Sequence, residues 1–544
     1  MTLTRRFAIA AFAILTIAAA AWFRIAGTLR EPLWLDEAYS AYAAAKGFAF
    51  LWHVVPLYET HPPFYYSLLR LWTLLFGDSL GALRALGMTC GLLTLPVAAF
   101  AAREAARMAR LPLAPVMAAA LLLTALSPAL VEMSREVRPY PVLILVYGAA
   151  LLALIRTGRV TGEQGAIPLP PFILYCACLA TVLWLHNLGP LYAASLGLAA
   201  LALIARRSLS RRDWMLLLGG HAVAALVYLP GLLILIDQAP MWMKSTWLHF
   251  SFDAMTPRLA ELFAAQGWPA MAAGALLALL AVGRLAGSPD GRRIAAALIV
   301  AALLPVLASI TLSMLVTPVF IVRTMTAAAV PSMLLLAIGA GGHPPSRGVL
   351  RWAGLGALLL LASQMALIDR HRRQGGPMQD WYNAVRWLQE RYRPGDVVWA
   401  YPNEGALPFD YAVRDLNLAI ATRPIPTPVP TLDGGPAAWY PTGSRGVVSL
   451  PPERLRALAE APEARRVPTI WLLRLGASVY DEGDHLLHAL EKSRVRVADC
   501  ESYPIDFIGL ARPDIGAKAI QPPAERPRCL PSPGSSGKGY AARP

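Results

Sequence analysis

The chain has 544 residues, 56% of them hydrophobic and 15% charged, with a formal net charge of +15 and a mean hydropathy of +0.48. A soluble domain carries about a quarter charged residues, so this composition excludes an ordinary soluble enzyme and points to a polytopic α-helical membrane protein. The positive balance does not indicate nucleic acid as a partner, because most arginines stand in short clusters between apolar segments, the positive-inside pattern.

The first apolar run follows Arg5 and Arg6 and extends to Phe23. Small residues from Ala18 to Ala21 would suit signal-peptide cleavage, but the spans that follow fit an uncleaved first helix with a cytoplasmic N-terminus better. The chain then emerges into a first outer loop over residues 28–78. This loop holds Trp34-Leu35-Asp36-Glu37-Ala38-Tyr39 and Glu59-Thr60-His61-Pro62-Pro63-Phe64-Tyr65-Tyr66. Ionisable groups beside hydrocarbon are costly and mark function by default. Pro63 to Phe76 is apolar but falls short of the roughly 20 residues a span needs, so it reads as a helix lying at the interface. Were it a span, Arg103, Arg107 and Arg110 would face outward, against the charge rule.

Further spans are predicted over 79–102, 113–127, 141–155, 171–185, 190–204, 214–236, 262–282, 294–315, 324–340 and 355–368. With the first helix they make about 11 spans, the N-terminus inside and the C-terminus outside. The membrane domain is residues 1–375. Residues 376–512 read as a small extracytoplasmic α/β domain: Trp381, Ala384, Val385 and Leu388 have helical spacing, Val397–Tyr401, Ile470–Leu473 and Val495–Val497 read as strands, and His485–Glu491 as helix. The tail, 513–544, is rich in Pro, Gly and Ser and reads as disordered. Of the five cysteines, Cys500 and Cys529 either form a disulfide, if that end is extracytoplasmic, or stay free thiols. No metal-ligand spacing appears.

Several residues carry candidate chemistry. Asp36 and Glu37 are adjacent and point different ways, so one faces a reaction site while the other braces the loop or binds a metal; the plainer alternative is a solvated helix cap. His61 precedes a helix N-terminus, which favours anions, and can donate to a phosphate at the membrane surface; the alternative is a structural bond to backbone. Arg135 and Arg138, in Ser134-Arg135-Glu136-Val137-Arg138-Pro139-Tyr140, lie outside against the positive-inside trend. They therefore call for an anionic partner: Glu136, Glu132, a phosphate or a lipid headgroup. Arg323 and Lys244 are similar outer cations, for which a lipid headgroup is the competing partner. Trp242 and Trp247 suit an aromatic belt as well as a substrate platform. His186 and Asn187 rank low, since a lone His at a helix end is more often a structural donor.

Together the early Asp-Glu, the His-Pro-Pro, Ser-Arg-x-x-Arg-Pro-Tyr after the third span and Pro-x-x-x-x-Arg over Pro318–Arg323 resemble the GT-C membrane glycosyltransferases. The chain looks most similar to protein mannosyltransferases, lipid A aminoarabinose transferases and lipopolysaccharide galacturonosyltransferases, over about its first 340 residues. The resemblance implies transfer of a sugar from a polyprenyl-phosphate donor to a lipid, glycan or protein acceptor on the outer face of the bacterial inner membrane, with inversion. It implies Asp36 as base with Glu37 in support. It also implies that His61, Arg138, Arg323 and Arg135 hold the donor phosphate, and that Trp34, Tyr39, Tyr65, Tyr140 and Lys244 line the substrate. A divalent metal stays open as a cofactor, but no metal ligand carries over, because Thr60-His61-Pro62-Pro63 departs from the Glu-Lys-Pro-Pro of the aminoarabinose transferases. Three other readings compete. A flippase for lipid-linked oligosaccharides would spread ionisable groups along the spans, an O-antigen polymerase or ligase would carry a large late outer loop, and a scaffold would not need Asp36, His61 and Arg138 on one side.

Overall fold

A computed structural model describes residues 3–205, 209–244, 250–430, 450–477, 481, 483–515 and 525–532. Among these, eight helices are long and apolar enough to cross a membrane, or nine if the bent pair Leu113–Leu126 and Pro128–Ser134 is one span. Every span expected from the sequence falls on one of these helices, on the bent pair, or on the shorter helices Leu169–Leu185 and Gly189–Ala205. The 56° bend of the pair sits at Ser127-Pro128, where proline removes a helical donor and suits only the start of a new helix. The first helix, α1 (Leu3–Ile25), contributes a buried arginine. Arg24 donates to the carbonyls of Ala125 at 3.0 Å and Thr124 at 3.3 Å, the negative end of the neighbouring helix.

The segment after α1 folds into three further helices, α2 (Leu35–Lys46), α3 (Phe48–His53) and α4 (Phe64–Phe76). α4 is 13 residues long, about 20 Å at 1.5 Å per residue, too short to span. It buries Tyr65, Tyr66 and Leu69 and leaves Leu71, Leu74, Leu75 and Phe76 exposed, an apolar flank that suits a helix lying along a bilayer surface.

The C-terminal unit is a five-stranded sheet, β1 (Val397–Tyr401), β2 (Thr422–Pro424), β3 (Thr469–Leu475), β4 (Val495–Ser502) and β5 (Ile505–Ala511), in the order β2-β1-β3-β5-β4. β1 runs parallel to β2 and β3, whereas β5 is antiparallel to β3 and β4. Both faces are covered, one by Trp381, Trp387 and Phe409, the other by Leu455, Leu486 and Leu490. This two-sided burial explains why Ile470–Leu473 reads as unbroken hydrophobicity. Cys500 and Cys529 are joined by a disulfide. The tail expected to be disordered is corrected over residues 525–532: the disulfide, an Arg526 pair with Asp506 at 2.7 Å and a bond from Glu501 N–H to the Pro527 carbonyl at 2.8 Å hold it to the sheet edge. The remainder of that tail beyond Ile515 lies outside the described residues.

Candidate active site

Asp36 and Glu37 stand in the first turn of α2, where acidic side chains meet the positive end of the helix dipole. Both are almost fully buried, and they turn opposite ways. Glu37 Oε2 accepts from the Trp34 amide at 3.3 Å and from Arg84 Nη2 at 3.0 Å, while Oε1 accepts from the Val137 amide at 2.9 Å. Arg84 also donates to the carbonyls of Pro32, at 3.1 Å, and Thr28. Asp36 faces a cavity instead. Its Oδ2 lies 3.2 Å from Arg323 Nη2 and 3.9 Å from Arg138 Nη2. Arg138 also donates to the Asp36 carbonyl and to Ser40 Oγ, both at 3.3 Å, and the Arg323 guanidinium stacks 4.8 Å from the centre of the Trp34 ring.

The start of α2 is completed from far along the chain. The Leu35 amide, one of the helix-terminal donors without an intrahelical acceptor, donates to Gln379 Oε1 at 3.0 Å, which also accepts from Trp381 Nε1 at 2.9 Å. Further along α2, Tyr42 donates its hydroxyl to the Val429 carbonyl at 2.6 Å. The C-terminal unit therefore grips the helix that carries Asp36 at two points.

The cavity measures ≈ 380 Å³, within the range of small-molecule sites. Its lining joins polar side chains, Asp36, Thr60, His61, Arg138, Tyr140, His186, Asn187 and Arg323, to apolar ones, Leu191, Leu235, Ala239, Met243 and Leu312. His61 is fixed by Glu59, whose Oε1 lies 2.7 Å from Nδ1 and accepts the His61 amide at 3.1 Å. His186 packs edge-on to His61, with ring centres 4.8 Å apart. Burial, reinforced by His61, Arg138 and Arg323, pushes its imidazole well below the usual histidine range, so it is neutral. Glu136 is pushed up to about 8, chiefly by burial, so near neutral pH its carboxyl is mostly protonated.

The structure thus brings Asp36, His61, Arg138, Arg323 and Tyr140 to one cavity and places other expected site residues elsewhere. Arg135 points to the end of α1, donating to Thr28 Oγ1 at 3.0 Å and the Ala26 carbonyl at 3.3 Å beside Glu31. Glu132, one of its expected partners, pairs with Arg372 and Arg258. Tyr39 is fully buried with its hydroxyl on Tyr58 at 2.8 Å, and Tyr65 is buried beside Tyr66; both are core, because α2 and α4 pack on each other through these rings. Trp34 reaches the site only as the platform beneath Arg323. The Lys244 side chain and Trp247 lie outside the described residues. Glu59, Arg84 and Gln379 act here without having been singled out from sequence, and His186 and Asn187 had ranked low.

Among the described residues no three His, Cys, Asp or Glu side chains stand together to hold an ion, and the Asp36 carboxylate already faces two guanidiniums.

No family model matches the chain, and no curated protein matches it in sequence. Its fold does have solved counterparts. ArnT from Cupriavidus metallidurans in the apo state superposes with a TM-score of 0.54 at 14% identity, covering 93% of this chain and 98% of that one. The same protein bound to undecaprenyl phosphate gives 0.52 at 13% identity, covering 94% and 98%. The Archaeoglobus fulgidus oligosaccharyltransferase in the apo form gives 0.48 at 11% identity, covering 95% and 76%. At such identities the likeness to ArnT is one of architecture, and that architecture is the GT-C fold of membrane glycosyltransferases.

Proposed function

We propose that this protein transfers a sugar from a polyprenyl-phosphate donor to a lipid, glycan or protein acceptor at the outer face of a bacterial inner membrane, with its N-terminus cytoplasmic and residues 376–512 outside. The observation that carries this reading is a cavity lined by both cations and apolar side chains. Its arginines and histidine suit a phosphate, and its apolar residues Leu235, Met243 and Leu312 stand on helices that would meet an isoprenoid chain. The undecaprenyl phosphate bound to ArnT, a protein of the same fold, supports the same class of donor.

In this mechanism the acceptor hydroxyl attacks the anomeric carbon on the face opposite the phosphate, and its proton passes to the Asp36 carboxylate. The bond from the anomeric carbon to the phosphate oxygen breaks with its electron pair staying on oxygen, which leaves polyprenyl phosphate. Arg138, Arg323 and His61 stabilise the charge on that leaving group. The incoming phosphate competes with Asp36 for the two guanidiniums, and a carboxylate relieved of cations takes a proton more readily. Donor binding and activation of the base are thereby coupled. Glu37, with its oxygens committed to Arg84 and two amides, positions α2.

The test is to incubate membranes containing the protein with undecaprenyl phosphate carrying different sugars and follow which lipid, glycan or protein gains the sugar's mass. A mass gain that depends on the protein and is lost in Asp36→Asn supports the reading. An unchanged gain in that variant removes Asp36 as base, and no gain with any donor removes the assigned activity.

A further inference from the structure

We infer that His186 and Asn187 form the subsite that recognises uncharged hydroxyl groups of the transferred sugar, an inference that rests on the sugar-transfer reading above. The helix Leu169–Leu185 ends at His186, whose backbone is extended (φ −152°), and the next helix starts at Gly189. In the short break between them the Leu188 amide donates to His186 Nδ1 at 3.0 Å. That bond makes Nδ1 the acceptor and puts the ring proton on Nε2. His186 is 2% exposed, and its Nε2–H has no partner among the described residues.

Asn187 is the complement. Its Nδ2 donates to Thr60 Oγ1 at 3.3 Å, which orients the amide, and its Oδ1 is buried without a partner among the described residues. Both residues line the same cavity as Asp36 and His61. Buried polar groups are normally paired, and an exception inside a cavity calls for a ligand atom. One neutral donor and one neutral acceptor remain, and a hydroxyl both donates and accepts.

The charge of the surroundings narrows the sugar further. His186 stays neutral, so the pair itself offers no cation to the carboxylate of a uronic acid, and Arg138 and Arg323 are engaged by the donor phosphate. The ammonium of an amino sugar would approach a wall that already holds Arg138 and Arg323. A neutral hexose or pentose fits the pair, and a site built to bond a hydroxyl discriminates strongly against an analogue that leaves its own groups unpaired.

The experiment measures binding to the full-length protein in lipid nanodiscs. The probes are undecaprenyl phosphate alone and undecaprenyl phosphate carrying a neutral hexose, a neutral pentose, a hexuronic acid or an amino pentose. The expected result is that a neutral sugar tightens binding about tenfold over the bare lipid. His186→Phe and Asn187→Leu should each erase most of that gain while binding the bare lipid as before, and His186→Gln, which keeps an N–H donor, should recover part of it. Because Asn187→Leu leaves the Leu188 bond intact, it serves as the test if His186→Phe fails to fold. The inference is overturned if the gain survives both changes, if a charged sugar binds tightest, or if the bare lipid weakens in step, which would place the pair on the phosphate. Failure of the wild-type protein to bind any of these lipids would instead take down the donor assignment, and the inference with it.

Discussion

Asp36 and Glu37 are neighbours in sequence, both are nearly inaccessible, and each faces an arginine, yet the two flanks of α2 use them differently. On the Glu37 flank, both carboxylate oxygens are occupied by Arg84 and the amides of Trp34 and Val137, and Arg84 is itself shared with two carbonyls. On the Asp36 flank the carboxylate looks into a cavity, against two guanidiniums that a phosphate can claim. Burial and charge alone would rank the pair equally. What separates them is how far their partners are committed to backbone, since a group whose partners are already spent on the fold has little left for a ligand.

Substitutions at four positions would break or sharpen this contrast. Asp36→Asn keeps the shape and should lower transfer by about 10²- to 10⁴-fold, with the melting temperature in detergent little changed and affinity for undecaprenyl phosphate raised, since the carboxylate no longer competes for Arg138 and Arg323; a matching loss of folded protein would move Asp36 to the structural flank. Glu37→Ala leaves Arg84 buried without its carboxylate, at about 3–5 kcal/mol, and the fraction that stays monodisperse on heating should fall while the activity of the surviving folded protein is largely kept. Arg323→Ala should cut transfer by about 10- to 100-fold, with Arg323→Lys restoring part through charge without the fork geometry, read from initial rates at saturating donor. Smallest is Gln379→Leu: it strands the Leu35 amide at about 1–3 kcal/mol, expected as a several-fold drop in kcat with KM for the donor little moved. Gln379→Glu, which keeps an acceptor, should rescue it.

Much of this was legible before any coordinates. Long apolar runs separated by arginine clusters mark the helices directly, and Val397–Tyr401 is read to the residue. β5 was not recognised, because Asp506 and Gly509 interrupt its pattern. Their reasons lie on the neighbouring strand β3: Asp506 pairs with Arg474, and a Cβ at Gly509 would come within 2.6 Å of the Trp471 ring. In the site, Asp36, His61, Arg138 and Arg323 could be grouped because topology puts all four on one side. Arg84 and Gln379 were hidden, since their partners are largely backbone groups that carry no sequence signature. Tyr39 and Tyr65 misled for the converse reason: an aromatic on the packed face of a short helix looks, in sequence, like one that lines a pocket.

The bond from Leu35 to Gln379 also has a meaning in time. The residues it joins are 344 apart, so during synthesis α2 leaves the translocation machinery long before its acceptor has been made. A nascent chain can therefore insert its helices and present Asp36 while the first turn of α2 still lacks its finishing contact. The contact that completes the start of α2 therefore arrives last, once the C-terminal unit has packed onto the loop that carries Asp36.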